Sequence, residues 1–298
     1  MSGSAPNRDR ESNAEIGNER TVGVHGGRTV RYAEYGDPAG VPAIFFHGTP
    51  GSRVLGAVFD GHARRHGVRL LAPDRPGYGR SSPNPSRGST DVVADVTAVL
   101  DRAEVEHTAV VGFSGGARYA LSLAATESSR VTDVHLVSGA TPPSLRERTP
   151  GVQKLLGTLA RTTPRLLTAL FRGQRWVAKR ASPDFVLAQY TTDGAAPIPR
   201  DVAEIVRRDF IEAFETTRSG AVTECRRFAE AWDVRFEEID DGVRLWHGRR
   251  DTNAPVDSVR RLSERLPDGE LTIFENQDHL GALVRSRDSI LRTVAENG

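Results

Sequence analysis

A single cysteine, Cys225, stands in 298 residues, so no disulfide can close within the chain and no cysteine-rich metal site can be built. One thiol suits a reducing cytoplasm, the expected location, and packing among helices is its plainest role. Charge of one sign is missing too. Forty basic against 39 acidic residues leave a net charge of +1, which gives no global field to attract nucleic acid or an acidic polymer. The first 20 residues hold hardly any apolar side chain, so they supply neither the apolar stretch of a signal peptide nor a membrane span. Residues 1–20 are expected to be a disordered tail, and no nucleic-acid or membrane partner is expected. No cluster of histidine, cysteine and carboxylate has metal-ligand spacing, so no metal is expected. Gly77-Tyr78-Gly79 and Gly112-Phe113-Ser114-Gly115 fall short of the Gly-x-Gly-x-x-Gly of a dinucleotide loop, and no cofactor is expected.

What is present is a regular alternation. A hydrophobic content of 38% is enough to bury a sizeable core, and this length suits one domain with an insertion. Residues 21–24 and 29–34 are short β-prone runs around His25-Gly26-Gly27, a hairpin signal. Residues 43–46, 68–72, 131–137, 243–247 and 270–274 read as strands, and 53–66, 90–103, 255–266 and 283–294 as helices. Such alternation predicts an α/β fold, a mostly parallel sheet with helices on both faces. It stops for about a hundred residues. Between 141 and 241, Leu155, Leu159, Leu166, Leu170, Ile205, Phe210 and Phe214 recur at helical spacing, which predicts a helical lid inserted between core segments 21–140 and 242–298.

The chemistry centres on Ala109-Val110-Val111-Gly112-Phe113-Ser114-Gly115-Gly116, a buried strand running through Gly-x-Ser-x-Gly into a helical pattern. A reversal from strand to helix at one residue forces Ser114 into strained dihedrals. It also brings neighbouring chain so close that positions 112 and 116 have no room for a Cβ. Both are glycine. Ser114 then sits at a helix start, where free N–H groups favour developing negative charge, and Gly115 supplies one. A serine is a poor nucleophile unless a histidine takes its proton and a carboxylate holds that histidine in the right tautomer. In strand-turn-helix serine sites the acid and then the histidine follow the serine along the chain. Asp251 lies three residues beyond the strand that ends at His247-Gly248 and before the helix start at Pro255, on a loop at the carboxyl edge of the sheet. His279 is the one histidine after Asp251. Asp278 adjoins it too closely to turn its side chain onto the ring, and the strand end at Ser138-Gly139 carries no acid.

With His47-Gly48-Thr49-Pro50-Gly51-Ser52 after the first parallel strand and the turn Asp74-Arg75-Pro76-Gly77-Tyr78-Gly79-Arg80-Ser81, five motifs stand in register. Together they make the chain resemble the lidded α/β-hydrolase superfamily over residues 21 to 296. That resemblance implies a serine hydrolase with the catalytic residues Ser114, Asp251 and His279. It implies that the backbone N–H groups of Thr49 and Gly115 form the oxyanion hole, that His47 orients the loop, and that Asp74 and Arg80 pin a turn. The expected partner is a small acyl substrate, an ester or lactone. Ser114 argues against epoxide hydrolases and haloalkane dehalogenases, which carry aspartate at the elbow. The 74–81 turn is similar to that of prolyl aminopeptidases, but Phe113 and Gly115 depart from their Gly-x-Ser-Trp-Gly-Gly. Thioester, carbon–carbon bond and peroxyacid chemistry stay open, as do a cyclase-like enzyme and a receptor on the same scaffold, because fold does not choose among them. Oligomeric state is left open.

The lid is charged unevenly. From 142 to 180 it carries nine basic residues against one acid, Glu147, whereas 181–241 is mainly acidic. Either the two halves pair with each other or the basic half forms a rim that attracts an anionic substrate. Failing that, selection is expected by apolar shape through Leu155, Leu159, Phe171 and Trp176.

Overall fold

The computed structural model describes residues 17–240 and 242–298. Eight strands are β1 (Asn18–Val24), β2 (Arg28–Gly36), β3 (Val41–Phe46), β4 (Val68–Pro73), β5 (Thr108–Phe113), β6 (Val131–Val137), β7 (Val243–Gly248) and β8 (Glu270–Phe274). They form one sheet in the order β1-β2-β4-β3-β5-β6-β7-β8. The β1–β2 and β2–β4 pairings are antiparallel and the remaining pairings parallel. Helices follow in the order α1 (Asp60–His66), α2 (Ser89–Arg102), α3 (Ala117–Thr126), α4 (Gly151–Thr162), α5 (Pro164–Ala178), α6 (Pro183–Leu187), α7 (Arg200–Ala213), α8 (Ser219–Arg227), α9 (Val256–Arg265) and α10 (His279–Asn297).

Side chains on a strand alternate between faces, and here both faces are covered. Phe45 and Val111 join α1 and α10 through Ala63, Leu283 and Ile290. Ile44, Phe46 and Val110 turn the other way onto α2, α3 and α9 through Leu100, Leu123 and Leu262. Burying one such side chain is worth about 1.5–3 kcal/mol, so β5, whose six residues are all buried, is the most firmly held strand. Its end carries the Gly-x-Ser-x-Gly turn.

Helices α4–α8 lie between β6 and β7, within the stretch expected to be helical. The predicted period is right, but part of the face is displaced by one residue. Leu167 and Phe171 are buried while Leu166 and Leu170 are exposed, and since both pairs are spaced i, i+4, period alone does not tell which turns inward. Phe171 and Phe210 flank Phe214 with ring centroids 5.1 and 5.3 Å away. Cys225 is buried among these helices.

Three expectations are corrected. The first strand starts at Asn18, not Thr21, because Asn18 and Glu19 pair with Glu34 and Ala33 in the β1–β2 ladder. Glu19 there accepts from Arg31 Nε at 3.1 Å and from Arg53 Nε at 3.0 Å, so charges that composition reads as solvated are partners. The rest of the expected tail, residues 1–16, lies outside the described residues. Residues 53–66 form not one helix but a 3₁₀ stretch, Arg53–Phe59, followed by α1. Ser52 caps that stretch and Gly56 is pressed onto the Tyr35 ring, where a Cβ would come within 2.7 Å. Finally, α10 starts at His279, with Asp278 as its cap, rather than at Leu283.

A Cβ on Gly116 would collide with the Phe46 carbonyl and lie 2.9 Å from the His47 oxygen. Gly116→Ala is therefore expected to destabilise by about 1–3 kcal/mol in urea unfolding. Gly61, in α1 with nothing near its vacant Cβ position, is the control: Gly61→Ala is expected to stabilise by about 0.5–1 kcal/mol. Equal effects at the two positions would refute the close approach at Gly116.

Candidate active site

Ser114 follows directly on β5 and has φ of +51°, a left-handed conformation that costs a non-glycine residue about 1–3 kcal/mol. The turn is held because a Cβ on Gly112 would lie 2.8 Å from Ala120 Cβ and 3.0 Å from Ala117 Cα. Gly112 and Gly116 thus let α3 start hard against β5 and β3, as their spacing predicts.

The peptide N–H groups of Thr49 and Gly115 are each aimed by the carbonyl in the same peptide plane. Gly48 O accepts from His47 Nδ1 at 2.8 Å and from Arg75 Nη2 at 2.9 Å, while Ser114 O accepts from the Ala140 N–H at 2.9 Å. A trans peptide is planar, so anchoring each carbonyl points the Thr49 and Gly115 N–H groups the opposite way. The two residues adjoin, since a Cβ on Gly115 would lie 3.5 Å from Thr49 N. His47 Nε2 accepts the Arg75 N–H at 3.1 Å, which fixes the Nδ1–H tautomer. Burial, with Arg75 beside it, holds His47 well below the usual histidine range and therefore neutral.

Asp251, on the loop after β7, and His279, the first residue of α10, come together. His279 Nδ1 donates to Asp251 Oδ2 at 2.7 Å, leaving Nε2 with the ring's lone pair. Asp251 Oδ1 accepts from Asn253 N at 2.8 Å and Ala254 N at 2.9 Å. Burial pushes the Asp251 carboxyl up, but His279, with His247 and the Ala254 amide, outweighs it and keeps it below its ordinary value. The ring is flanked by Phe113 at 5.1 Å and by Tyr190 stacked at 6.3 Å, and the backbone of His279 is held by Ser138 Oγ donating to its carbonyl at 2.8 Å. Asp278 is occupied elsewhere, accepting from Gly281 N and Thr192 N, both at 2.9 Å. His135 bonds Asp133 at 2.9 Å, and His247 donates from Nε2 to Ala254 O at 2.8 Å.

Ser114, His279, Thr49 and Gly115 line one cavity of about 540 Å³. A larger one of about 960 Å³ lies at β1, β2 and Arg80 and holds none of them. The cavity's apolar wall is Val152, Leu156, Tyr190 and Phe228, not the expected Leu155, Leu159, Phe171 and Trp176. Leu155 and Trp176 are exposed and Phe171 is buried in the core. Between the two halves of the helical stretch Arg175 pairs with Glu215, while Arg146 turns into the cavity wall. Asp74 pins its turn as expected, accepting from Arg80 N at 3.0 Å and Arg53 N at 2.6 Å.

Two carboxylates from the helical stretch reach under the site, and sequence reasoning missed both. Glu224, on α8, accepts from Thr49 Oγ1 and lies 3.2 Å from Arg75 and 3.0 Å from Arg87. Tyr78 and Tyr119 add hydroxyl donors, both at 3.2 Å. Burial pushes Glu224 up, but Arg75 and Arg87 prevail and hold it below the usual carboxylate value. Asp209, on α7, accepts from Ser52 N and Oγ at 2.7 Å each and so ties that helix to the 47–52 loop. Helical periodicity marks such positions only as polar.

Among the described residues no cation pairs with Asp209, and burial, despite the Ser52 bonds, pushes its carboxyl up to about 8. In the unfolded chain it returns to about 3.9, so the folded state binds the extra proton between those values. The stability this gives is complete below about pH 4 and is lost as pH rises through about 8. Urea unfolding between pH 5 and 9 is expected to show Asp209→Asn flattening that loss. An unchanged slope would contradict it.

Comparison with known proteins agrees with this architecture. The family model for the alpha/beta hydrolase fold matches residues 42–286. The AB hydrolase superfamily protein YisY of Bacillus subtilis is 24% identical over 270 residues, 86% of this chain and 91% of that protein. A probable proline iminopeptidase of Streptomyces coelicolor is 36% identical over 129 residues, 40% of this chain and 39% of that protein. The crystal structure of the enol-lactonase from Burkholderia xenovorans matches with a TM-score of 0.68 at 20% identity, covering 93% of this chain and 98% of that one. The sheet order, the turn at Ser114 and the matched span lead to one conclusion: the chain belongs to the α/β-hydrolase fold family.

Proposed function

We propose that the protein is a serine hydrolase that cleaves a carboxylic ester or lactone through an acyl-enzyme on Ser114. The observation that carries this reading is the 2.7 Å bond from His279 Nδ1 to Asp251, made while His279 and Ser114 line the same cavity as Thr49 and Gly115. Ser114 Oγ attacks the carbonyl carbon as its proton passes to His279 Nε2. The resulting oxyanion lies against the Thr49 and Gly115 N–H groups, each worth on the order of 3 kcal/mol of transition-state stabilisation. His279 then protonates the departing alcohol, and water activated by the same ring releases the acid and restores Ser114. Asp251 holds the tautomer and stabilises the imidazolium. Residues 141–241 serve as the lid over this chemistry.

The similarity to an enol-lactonase fits this reading. The iminopeptidase similarity raises a different substrate, one with a cationic amine. Such a substrate calls for a free carboxylate in the cavity; among the described residues lining its main chamber there is none, Glu224 in the adjoining recess is already held by Arg75 and Arg87, and Arg146 is present. Ester or lactone cleavage is therefore favoured over aminopeptidase action.

Ser114→Ala deletes one oxygen and no core volume. It is expected to lower p-nitrophenyl butyrate turnover at least about a thousandfold with an unchanged melting curve. Asp251→Asn is expected to cost about 10⁴-fold at neutral pH, and Asp278→Asn far less. Ser114→Ala retaining a tenth of the rate, or the two aspartates reversed, would overturn the assignment; a wild type inert to all esters and lactones would favour a receptor or cyclase.

A further inference from the structure

Beside the expected oxyanion donors the cavity branches. A recess of about 50 Å³ is walled by Arg118, Arg146 and Arg227, with Tyr119, Glu224 and Trp232. It shares Thr49, Gly115, Ala140, Arg146 and Phe228 with the main cavity, whereas Ser114 and His279 line only the latter. A volume of about 50 Å³ is more than a single water needs and leaves room for a group of a few heavy atoms, the size of a carboxylate.

The charges around it do not cancel. Glu224 is already held between Arg75 and Arg87, and Arg227 pairs with Glu230 at 3.4 Å. Arg118 and Arg146 find only neutral acceptors. Arg118 Nε donates to Ser89 Oγ at 2.9 Å and its Nη2 to Ala231 O at 3.5 Å. Arg146 donates to Phe228 O at 3.2 Å, to Thr141 Oγ1 at 3.4 Å and to Thr141 O. Among the described residues neither has a carboxylate partner, and burial, with no acid to offset it, lowers the Arg146 pKa. A carboxylate offers a guanidinium an opposite charge and two oxygens that match its fork, which neutral single acceptors do not, so both groups are better satisfied by an incoming anion than by what they hold.

We propose that this recess is an anion subsite that takes the carboxylate at the far end of a substrate's acyl chain, on Arg146 with Arg118 behind it. The proposal rests on the serine-hydrolase reading and names the substrate class of that site. The acyl side follows from position: the departing alcohol must lie at His279, its proton donor, and the recess does not reach that residue. The substrate is then a half-ester of a dicarboxylic acid, or a lactone bearing a carboxylate on its acyl portion. The Thr49 and Gly115 amides would hold the carbonyl end, and the forked Arg146 guanidinium the other.

The test compares the full-length protein on monomethyl succinate, glutarate and adipate with methyl butanoate, pentanoate and hexanoate, following acid release. At one chain length at least, kcat/KM for the half-ester is expected to exceed that of its neutral match by about tenfold or more, through KM. Arg146→Met is expected to lower that ratio about tenfold, Arg146→Lys and Arg118→Gln less. Because the readout is a ratio, a partly unfolded variant does not mimic the effect. Equal or better use of neutral esters at every length, a ratio unmoved in Arg146→Met, or a preference for acetoxyacetate, whose charge is on the alcohol side, would overturn the proposal while leaving the serine hydrolase standing. If no ester is cleaved and the serine reading falls, calorimetry with glutarate and Ser114→Ala protein still decides. Binding that exceeds that of glutaramide and is lost on adding Arg146→Met supports the subsite; no binding refutes it.

Discussion

Arg75 is almost wholly buried, and its guanidinium bonds the loops around the cavity. It reaches Gly48 O, Thr49 Oγ1 and Gly115 O at 2.9, 3.1 and 3.3 Å, and lies over the rings of Tyr78 and Tyr119 at 5.2 and 4.9 Å. Because one peptide plane joins the Gly48 carbonyl to the Thr49 N–H, holding the first aims the second. The proposed oxyanion donor therefore depends on a positive charge behind it. Such a charge is tolerable only when neutralised, since removing one partner of a buried pair costs about 3–5 kcal/mol.

The neutralising group comes from the helical stretch. Glu224 satisfies Arg75 and Arg87 together and also takes the Thr49 hydroxyl, while Asp209 holds Ser52 at the far end of the same loop. These helices therefore do more than line the cavity: they complete the electrostatics of the neighbouring loop. Arg53 is handled alike, fully buried with Asp74, Glu19 and Glu212 around it at the turn after β4. The Asp74 turn, the 47–52 loop and α7 share one set of charges.

The α/β alternation, the parallel sheet and the residues gathered at its edge were legible in the sequence, because strand period, glycine positions and loop placement are local signals. Ser114, Gly112 and Gly116 were readable from the space that a reversal at one residue demands. That Asp251 and His279 would meet was readable from chain order, although the start of α10 at His279 was not, since Asp278 reads equally as loop or cap. Glu224, Asp209 and Arg75 were not legible. A buried charge looks like a surface charge until its partner, 149 residues away for Arg75 and Glu224, is known. The inward face of α5 was missed because 166/170 and 167/171 fit the same period, and β1 began early because Glu19 finds Arg31 and Arg53 rather than water.

The account turns on Ser114 being an activated nucleophile, and the most direct measurement is covalent labelling. Incubated with a fluorophosphonate at neutral pH, the protein is expected to gain one adduct, located by peptide mass spectrometry on Ser114, with the rate of labelling lost in His279→Ala. No adduct, or one on a different residue with Ser114 untouched, would contradict it.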